Sequence, residues 1–328
     1  MAKQPRKHHY IPQFYLSGFS ETGSADGTLY VLDFQLMKQW KSTSRGTAHE
    51  RDYHVVELGA DRDPMFVEKK LGEREGKWAT VLRSVLESHD LPKGELFAEL
   101  LAFIAFLAVR VPPIRNQVTD FIDRASKAQL RATFATPEGR DRLRSIIAEH
   151  CRTLPLSDQE KIKQLLQADP DLEEMAEYVN SDRYEVGYEQ TWNVQTMVQM
   201  AITLLPVLGR RKWSLWSVAT DAPDLICSDC PVCLTWAKDV HGPYSPGFGL
   251  SNTLVTVPLG NRLLLSSTFE GLEAVTLDCK GVAAMNARAS MFANKLYTSK
   301  TEFVWLTKEG ALGSVADLLR GLSPGNTR

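Results

Sequence analysis

The sequence has no long apolar run and no excess of one charge, and each absence excludes a class of protein. Its longest strongly apolar run, Leu100 to Val109, is about half of the roughly 20 residues that a membrane-spanning helix needs. We therefore expect a buried helix there and no membrane partner. The chain has 38 Lys and Arg against 40 Asp and Glu, a net charge of −2. The surface as a whole thus has no general attraction to nucleic acid, although the balanced net charge does not exclude a local basic patch.

Cysteine is also scarce, at five residues in 328. An odd number of cysteines in a large chain favours reduced thiols. The basic opening Met1–Tyr10 continues into Ile11-Pro12-Gln13 and not into an apolar stretch with a cleavage site, so we expect no secretory signal and a cytoplasmic location. The 43% hydrophobic and 24% charged fractions are ordinary for a globular protein that buries its core without disulfides.

Apolar periodicity divides the chain into three regions. Residues 1–62 and 211–328 have the alternation and β-branched composition of strands, whereas residues 63–210 have helical periodicity. The predicted class is α+β, with the terminal strand regions forming antiparallel sheets around a central helical region. We expect the two strand regions to share a sheet, so the prediction is a single discontinuous domain over 1–328.

The elements predicted within these regions are as follows. The first region contains strands over Thr28–Phe34, around Trp40 and over Tyr53–Leu58, forming a small antiparallel meander. The second contains helices along the stripe Val67, Leu71, Trp78, Leu82 and Val85, then over Leu96–Val109, from Ile114, and over Arg140–Cys151, Ser157–Gln167 and Gln190–Leu208. The third contains strands over Trp213–Val218, Leu225–Cys227, Thr253–Val257, Arg262–Ser267, Leu296–Ser299 and Glu302–Leu306, and helices over Val282–Asn294 and Val315–Leu322.

The densest group of chemically active residues is the opening Lys7-His8-His9-Tyr10-Ile11-Pro12-Gln13. Histidine titrates near neutral pH and serves as acid, base or metal ligand. In an extended segment His8 and His9 point to opposite faces, so one can face a site while the other packs. We take both as candidate catalytic residues and Gln13 as a candidate substrate-binding residue. The alternative is an arm tied into the core, with inert, hydrogen-bonded histidines.

Two carboxylates and two arginines accompany them. Glu75 occupies the vacant position of the apolar stripe between Leu71 and Trp78, and Glu68 lies seven residues earlier on nearly the same face. A carboxylate that faces a core needs a partner, a metal or a cavity. Arg110 and Arg115 flank Pro112-Pro113 and suit the binding of carboxylate or phosphate. The glutamates are candidate catalytic residues and the arginines candidate substrate-binding residues. Solvated glutamates or structural Glu–Arg pairs are the alternative.

A turn at the end of an apolar strand supplies the third group, Ile226-Cys227-Ser228-Asp229-Cys230-Pro231. Such a turn aims a carboxylate away from the sheet, so Asp229 is a candidate catalytic residue and Ser228 a candidate substrate-binding residue. With Cys233, the cysteines have a Cys-x-x-Cys-x-x-Cys spacing that could bind a metal with Cys279 or His241. No second close pair exists, so we expect small core residues; a structural zinc is not predicted.

These residues together resemble a bacterial domain-of-unknown-function family, number 4238. The opening His8-His9-Tyr10-Ile11-Pro12-Gln13-Phe14-Tyr15-Leu16 is similar to its signature. In order along the chain follow its paired glutamates, its Arg-Pro turn and its Ser-Asp strand end, here with Cys227 and Cys230 where Thr and Asn are expected. The resemblance also implies Asn286, placed before Leu296-Tyr297, as a substrate-binding residue. The family has no established activity, so the resemblance implies no reaction.

Two functions from different classes remain open. The first is a hydrolase of phosphate esters or nucleic acid, nuclease-like, which combines a histidine, a carboxylate and an arginine that holds the anion, and for which a divalent metal stays open. His49 and His54 are poor stand-ins for the second histidine of a His-Asn-His nuclease. The second is a non-enzymatic ligand-sensing or protein-interaction module, in bacterial defence or a mobile element, with the same residues in a buried network. Nothing in the composition favours a structural scaffold.

Overall fold

The computed structural model describes residues 6–57, 63–152, 159–160, 172–237, 242 and 244–321. Helices make up 46% and strands 19% of the structure, and the sheets are antiparallel apart from one edge pair. A central helical region separates the strand-rich ends. The predicted α+β class is therefore confirmed.

The elements are numbered in chain order. The helices are α1 (Gln13–Leu16), α2 (Phe66–Ser88), α3 (Gly94–Val109), α4 (Pro112–Phe134), α5 (Pro137–Cys151), α6 (Leu172–Asn180), α7 (Gln190–Gly209), α8 (Cys279–Met291) and α9 (Val315–Gly321). The first strands are β1 (Lys7–His9), β2 (Leu29–Asp33), β3 (Lys38–Ser42) and β4 (His49–Arg51). The later strands are β5 (Lys212–Val218), β6 (Cys227–Ser228), β7 (Cys233–Trp236), β8 (Thr253–Gly260), β9 (Leu263–Thr268), β10 (Thr276–Leu277), β11 (Lys295–Thr298), β12 (Trp305–Leu306) and β13 (Leu312–Gly313).

A four-stranded sheet joins the two ends of the chain. Its order is β3-β2-β11-β6, all antiparallel, with β11 between the early strand β2 and the later strand β6. The two terminal strand regions thus share a sheet, as predicted. Leu29, Val31 and Leu32 of β2 are fully buried, because this central strand carries the β-branched and aliphatic residues that suit a covered sheet.

A five-stranded sheet of order β10-β5-β9-β8-β7 lies later in the chain. Strands β8 and β9 are buried along their whole length. Their near-continuous apolar sequences are typical of strands covered on both faces. Arg211 lies at the start of this sheet and donates hydrogen bonds to Ser267 and Thr253 and to the carbonyl of Phe248. A buried guanidinium is tolerated here because hydroxyls and carbonyls surround it.

Helix α3 is the central helix of the core and packs against α2 and α7. Its sequence is apolar on nearly every side, and Phe103, Ile104 and Leu107 are almost completely inaccessible to solvent. Helix α2 buries the predicted stripe, including Leu71 and Trp78. The two helices bring the carboxylates of α2 next to the C-terminal end of α3, where Arg110 follows.

The chain divides into two compact units, residues 1–115 with 190–328, and residues 116–189. The second unit contains α5 and α6, and its Lys127 pairs with Asp123 at 3.0 Å. In the described part of the chain no single helix has both the length and the apolar character of a membrane span, although the bent pair α3 and α4 satisfies that test on length and composition when combined. The single discontinuous domain stays a prediction.

Two predicted features of the first region are wrong. Tyr53 and His54 lie in a turn and residues 55–57 have no regular structure, whereas a strand was predicted over Tyr53–Leu58; Leu58 lies outside the described residues. Nor is there a three-stranded meander, because β4 pairs with β1 and not with β3. The helix predicted over Ser157–Gln167 lies outside the described residues except for 159–160, and α6 was not predicted.

Candidate active site

The opening segment is fixed in place by its apolar half. Ile11, Tyr15, Leu16 and Phe19 are fully buried, and the Tyr15 hydroxyl donates to the carbonyl of Pro258 on β8 at 2.6 Å. Burying four large side chains stabilises the segment by several kcal/mol, at about 1.5–3 kcal/mol each. The polar half of the segment is thereby held in one position, and it carries the two histidines.

Strand pairing and a tight turn bring a third histidine to the first two. In the β1–β4 ladder His8 lies opposite Glu50 and His9 opposite His49. Directly after β4, Asp52 has a left-handed backbone conformation with φ of 57°, which reverses the chain. The backbone N–H of His54 then donates to Nδ1 of His8 at 2.9 Å. The His8 and His54 rings stack with centroids 5.7 Å apart.

Glu68, in the first turn of α2, completes a compact group with these two rings. Its Oε2 lies 2.6 Å from Nδ1 of His54 and 3.7 Å from Nδ1 of His8. Both histidine side chains are fully buried, whereas the Glu68 side chain is 28% exposed. A carboxylate in the first turn of a helix is favoured by the helix dipole, so this position suits an ionised Glu68.

Burial sets the protonation states of this group. Burial lowers the pKa of His54 to about 4, against the opposing effect of Glu68. Burial raises the pKa of Glu68, but the His54 hydrogen bond and the charges of His54, His8 and Arg110 together hold it below its ordinary value. At neutral pH the carboxylate is therefore ionised and accepts the Nδ1–H of a neutral His54. Nε2 of His54 is then a buried lone pair with no hydrogen-bond partner among the residues that the structure describes.

Arg110 links the opening segment to α2. Its Nη1 lies 2.7 Å from Oε1 of Glu75, and its Nη2 donates to the carbonyl of His9. The Tyr53 hydroxyl in turn donates to the Arg110 carbonyl at 2.9 Å. The guanidinium is 2% exposed, and its Nε has no hydrogen-bond partner. The pair with Glu75 is the structural Glu–Arg pair that the sequence offers as the alternative to substrate binding. The same guanidinium fixes the backbone of His9 through its carbonyl.

Arg115 and His9 lie at the edge of this arrangement. Arg115 pairs with Glu50 at 2.9 Å, stacks over the Tyr53 ring at 4.4 Å and is 28% exposed. The same Tyr53 ring makes a T-shaped contact with the His54 ring, with centroids 5.0 Å apart. Gln13 donates to Nδ1 of His9 at 3.3 Å. Burial, followed by the charge of His49, lowers the pKa of His9 to about 4, and its Nε2 is buried without a partner.

We call this group the histidine cluster and define it as His8, His9, His54, Glu68, Glu75 and Arg110. Seven of the ten predicted site residues belong to it or contact it, namely His8, His9, Gln13, Glu68, Glu75, Arg110 and Arg115. His54, Glu50 and Tyr53 were missed. The polar run Glu50-Arg51-Asp52 before Tyr53 was the available signal, because such a run ends a strand and favours a turn.

The remaining three predicted residues serve a different region, the Ser-Asp turn (residues 226–230). The Ser228 hydroxyl accepts the N–H of Cys230 at 3.2 Å. Oδ1 of Asp229 accepts the N–H of Asn294 at 2.9 Å. Asn286 accepts the N–H of Ile226 and donates to two backbone carbonyls. In the described part of the chain, none of their hydrogen bonds reaches the histidine cluster.

The cysteines next to this turn are buried thiols. Burial raises the pKa of Cys230 to about 12 and the pKa values of Cys227 and Cys233 further still, so all three are neutral at physiological pH. Cys227 belongs to the four-stranded sheet and Cys233 to the five-stranded one. His241 lies outside the described residues. Among the described residues, the group with metal-ligand spacing is His8, His54 and Glu68, whose ligand atoms lie within 4.8 Å of one another.

Comparison with known proteins identifies the family. A family profile described as Protein of unknown function (DUF4238) matches residues 7–304, which include the whole histidine cluster and the Ser-Asp turn. The chain belongs to the DUF4238 family. No curated protein and no solved structure matches it. The predicted family is therefore confirmed over residues 7–304, and a function for this DUF4238 member has to be argued from its own geometry.

Proposed function

We propose that this chain is a hydrolase of phosphate esters, with the histidine cluster as its active site. The observation that supports the proposal is the His54 imidazole, which is held at Nδ1 by Glu68 at 2.6 Å while Nε2 has no partner. A carboxylate that fixes one nitrogen sets the ring tautomer and leaves the other nitrogen able to take a proton from water. Such general-base assistance contributes about 10²- to 10⁴-fold in rate.

Arg115 is the group that binds the phosphate in this proposal. Its guanidinium lies over the Tyr53 ring, and the Tyr53 and His54 rings are in T-shaped contact, so one aromatic ring contacts both the anion-binding group and the base. Arginine forms paired hydrogen bonds with phosphate oxygens. Arg110 acts differently: with Glu75 and the His9 carbonyl as partners, it is a positioning residue for the opening segment.

Three side chains in or next to the histidine cluster are partly exposed to solvent. The side chains of Glu68, Glu75 and Arg115 are each about one quarter exposed, at 28%, 26% and 28%, whereas His8 and His54 are fully buried. We therefore expect the ester to approach over these three residues, with its phosphate next to Arg115 and its attacking water next to Nε2 of His54.

The test is hydrolysis by the purified chain of p-nitrophenyl phosphate, bis(p-nitrophenyl) phosphate, and DNA and RNA oligonucleotides. We expect Glu68→Gln to lower kcat by about 100-fold or more, because the ring loses its fixed tautomer, and Arg115→Gln to act chiefly on KM. Arg74→Gln is the matched control: Arg74 lies on the same helix as Glu68 but pairs with Glu99. No turnover of any ester by the wild type, or full activity in Glu68→Gln, would overturn the proposal.

One observation favours the second candidate, a ligand-sensing or interaction module. Arg110 and Arg115 are both already paired with carboxylates, as in a network that fixes the fold or holds a ligand unchanged. Saturable binding of inorganic phosphate or an oligonucleotide without turnover, lost in Arg115→Gln, would select this function. A bacterial origin, a cytoplasmic location and a role in defence or in a mobile element stay predictions that accompany either function.

A further inference from the structure

Two electron-rich atoms face each other inside the histidine cluster. Nδ1 of His8 accepts the backbone N–H of His54 at 2.9 Å, so this nitrogen carries a lone pair and no proton, and an ion that binds there has to displace the hydrogen bond. The nearest carboxylate oxygen, Oε2 of Glu68, lies 3.7 Å away and is ionised. Nδ1 of His54 converges on the same oxygen at 2.6 Å. One ligand atom from each of His8, His54 and Glu68 thus lies within 4.8 Å of the others, and a positive charge among them would be stabilised.

The separations of these atoms are close to those of a metal centre. Zinc binds imidazole nitrogen at about 2.0–2.1 Å and carboxylate oxygen at about 2.0–2.2 Å, so two ligands of a tetrahedral ion lie roughly 3.3–3.5 Å apart. The His8–Glu68 distance of 3.7 Å needs almost no change. The His54–Glu68 distance of 2.6 Å is a hydrogen bond, and it has to open by less than about 1 Å to admit an ion.

We propose that His8, His54 and Glu68 bind one divalent transition-metal ion of the Zn²⁺ class. Two imidazoles and one carboxylate suit Zn²⁺, Fe²⁺ or Co²⁺, whereas Mg²⁺ and Ca²⁺ prefer sets of oxygen ligands. The ion takes the place of the proton that His54 now shares with Glu68, and that proton leaves to solvent. Three protein ligands leave a position open for water or a phosphate oxygen.

The supporting structure holds the three ligands in place before an ion arrives. His8 belongs to the paired strand β1, and Glu68 lies in the first turn of a long helix. The His54 ring is held by the His8 stack and the T-shaped contact with Tyr53. Ligands on rigid elements bind metal more tightly than ligands on loose ones, because less conformational freedom is lost. Glu75 pairs with the nearby Arg110. The negative charge of Glu75 offsets the positive charge of Arg110 and so reduces its repulsion of a bound cation.

The catalytic use of this ion rests on the proposed function, but its binding does not. A metal at this position would lower the pKa of a bound water toward neutrality and thereby supply the nucleophile for ester hydrolysis. The residues that hold the ion would then be the same ones that fix the base in the metal-free state. Ion binding and hydrolysis can therefore be measured separately, and either can fail alone.

The experiment titrates the chelator-treated full-length chain with Zn²⁺ by calorimetry and with Co²⁺ by visible absorption. We expect one ion per chain, and an affinity at least about 100-fold weaker in His8→Gln, His54→Gln and Glu68→Gln, since each removes a ligand. His89→Asn is the matched control, because His89 is at the far end of α2 in a left-handed conformation that asparagine also adopts. It lies about 30 Å from Glu68 along the helix.

Unchanged Zn²⁺ affinity in Glu68→Gln, no Zn²⁺ uptake by the wild type, or equal binding of Mg²⁺ would each overturn the metal site. Should His8→Gln or His54→Gln fail to fold, Glu68→Gln still decides, because its partly exposed side chain lies on the helix surface. Ion binding without ester hydrolysis would keep the site and remove the proposed function. Hydrolysis that persists after chelation, with no Zn²⁺ uptake, would overturn the metal site and leave the proposed function standing.

Discussion

The histidine cluster and the Ser-Asp turn were both predicted as functional from the sequence, and they differ in how their polar atoms are satisfied. In the turn, the side-chain oxygen atoms of Ser228, Asp229 and Asn286 each accept a backbone N–H. In the cluster, Nε2 of His9, Nε2 of His54 and Nε of Arg110 are buried and have no hydrogen-bond partner in the described part of the chain. Both regions are buried and polar, but of the two only the cluster holds buried side-chain nitrogen atoms without a partner among the described residues.

This difference separates two uses of a buried polar residue. A side chain that completes backbone hydrogen bonds replaces the water lost on folding, and its value is stability. A buried nitrogen left without a partner costs free energy, and it persists where a ligand, ion or reacting group uses it. The comparison therefore assigns stability to the Ser-Asp turn and chemistry to the histidine cluster, and three changes sharpen it.

The largest effect is expected from Asn286→Leu. Asn286 is 1% exposed. Its side chain accepts the N–H of Ile226 and donates to the carbonyls of Asp224 and Val304. Leucine leaves three backbone groups unsatisfied, each at about 1–3 kcal/mol, so we expect a loss of about 3–5 kcal/mol in the free energy of unfolding. Urea denaturation measures it. A loss below about 1 kcal/mol would show that Asn286 is not a structural residue.

A somewhat smaller effect depends on pH and belongs to Asp229. Burial raises the pKa of Asp229 to about 6, in spite of the backbone hydrogen bonds with Lys295 and Asn294 and the Lys295 charge. The folded chain thus holds this proton more tightly than the unfolded chain, so the stabilisation is complete below about pH 4 and is lost as the pH rises through 6. The expected loss is about 3 kcal/mol at most.

Asp229→Asn removes this dependence while keeping an oxygen that accepts the Asn294 N–H. The difference in free energy of unfolding between variant and wild type should therefore move in favour of the variant between pH 4 and pH 7. Denaturation at these two values checks it. An equal difference at both would mean that folding does not raise the pKa of Asp229, and would reopen its assignment as a catalytic carboxylate.

The smallest effect is expected from Arg110→Met, which strands the carboxylate of Glu75 and the carbonyl of His9. Loss of one member of a buried pair costs about 3–5 kcal/mol, but Glu75 is 26% exposed, so solvent reduces the cost to about 2 kcal/mol. The double variant Arg110→Met with Glu75→Gln should recover part of it. If the losses of the two single variants simply add in the double variant, Arg110 and Glu75 have no interaction energy with each other.

Periodicity predicted what depends on local sequence. The stripe on α2, the apolar α3 and the aliphatic β2 each follow from the spacing of side chains within one element, so their place in the core could be read directly. The stretch after Asp52 could not, because Tyr53, Val55 and Val56 have strand composition while Asp52 has a left-handed conformation. The turn at Asp52 places His54 next to Glu68.

The site shows the same limit. Glu68 and Glu75 were identifiable because a carboxylate interrupts an apolar stripe, and the opening histidines because they are adjacent. Their partners depend on contacts between distant segments: His54 reaches Glu68 across 14 positions, and Arg115 reaches Glu50 across 65. A sequence lists the residues that can form such pairs, but only the packing of β1, β4 and α2 selects among them.

The sheet that joins both ends of the chain has a consequence for the order of assembly during synthesis. Strand β2 leaves the ribosome long before its neighbour β11, which comes more than 250 residues later. Tyr10, next to His9, meets Tyr297 of β11 through their hydroxyls at 3.3 Å. The opening segment must therefore wait for nearly the whole chain before it docks, and the unpaired edge of β2 needs protection from other nascent chains until then.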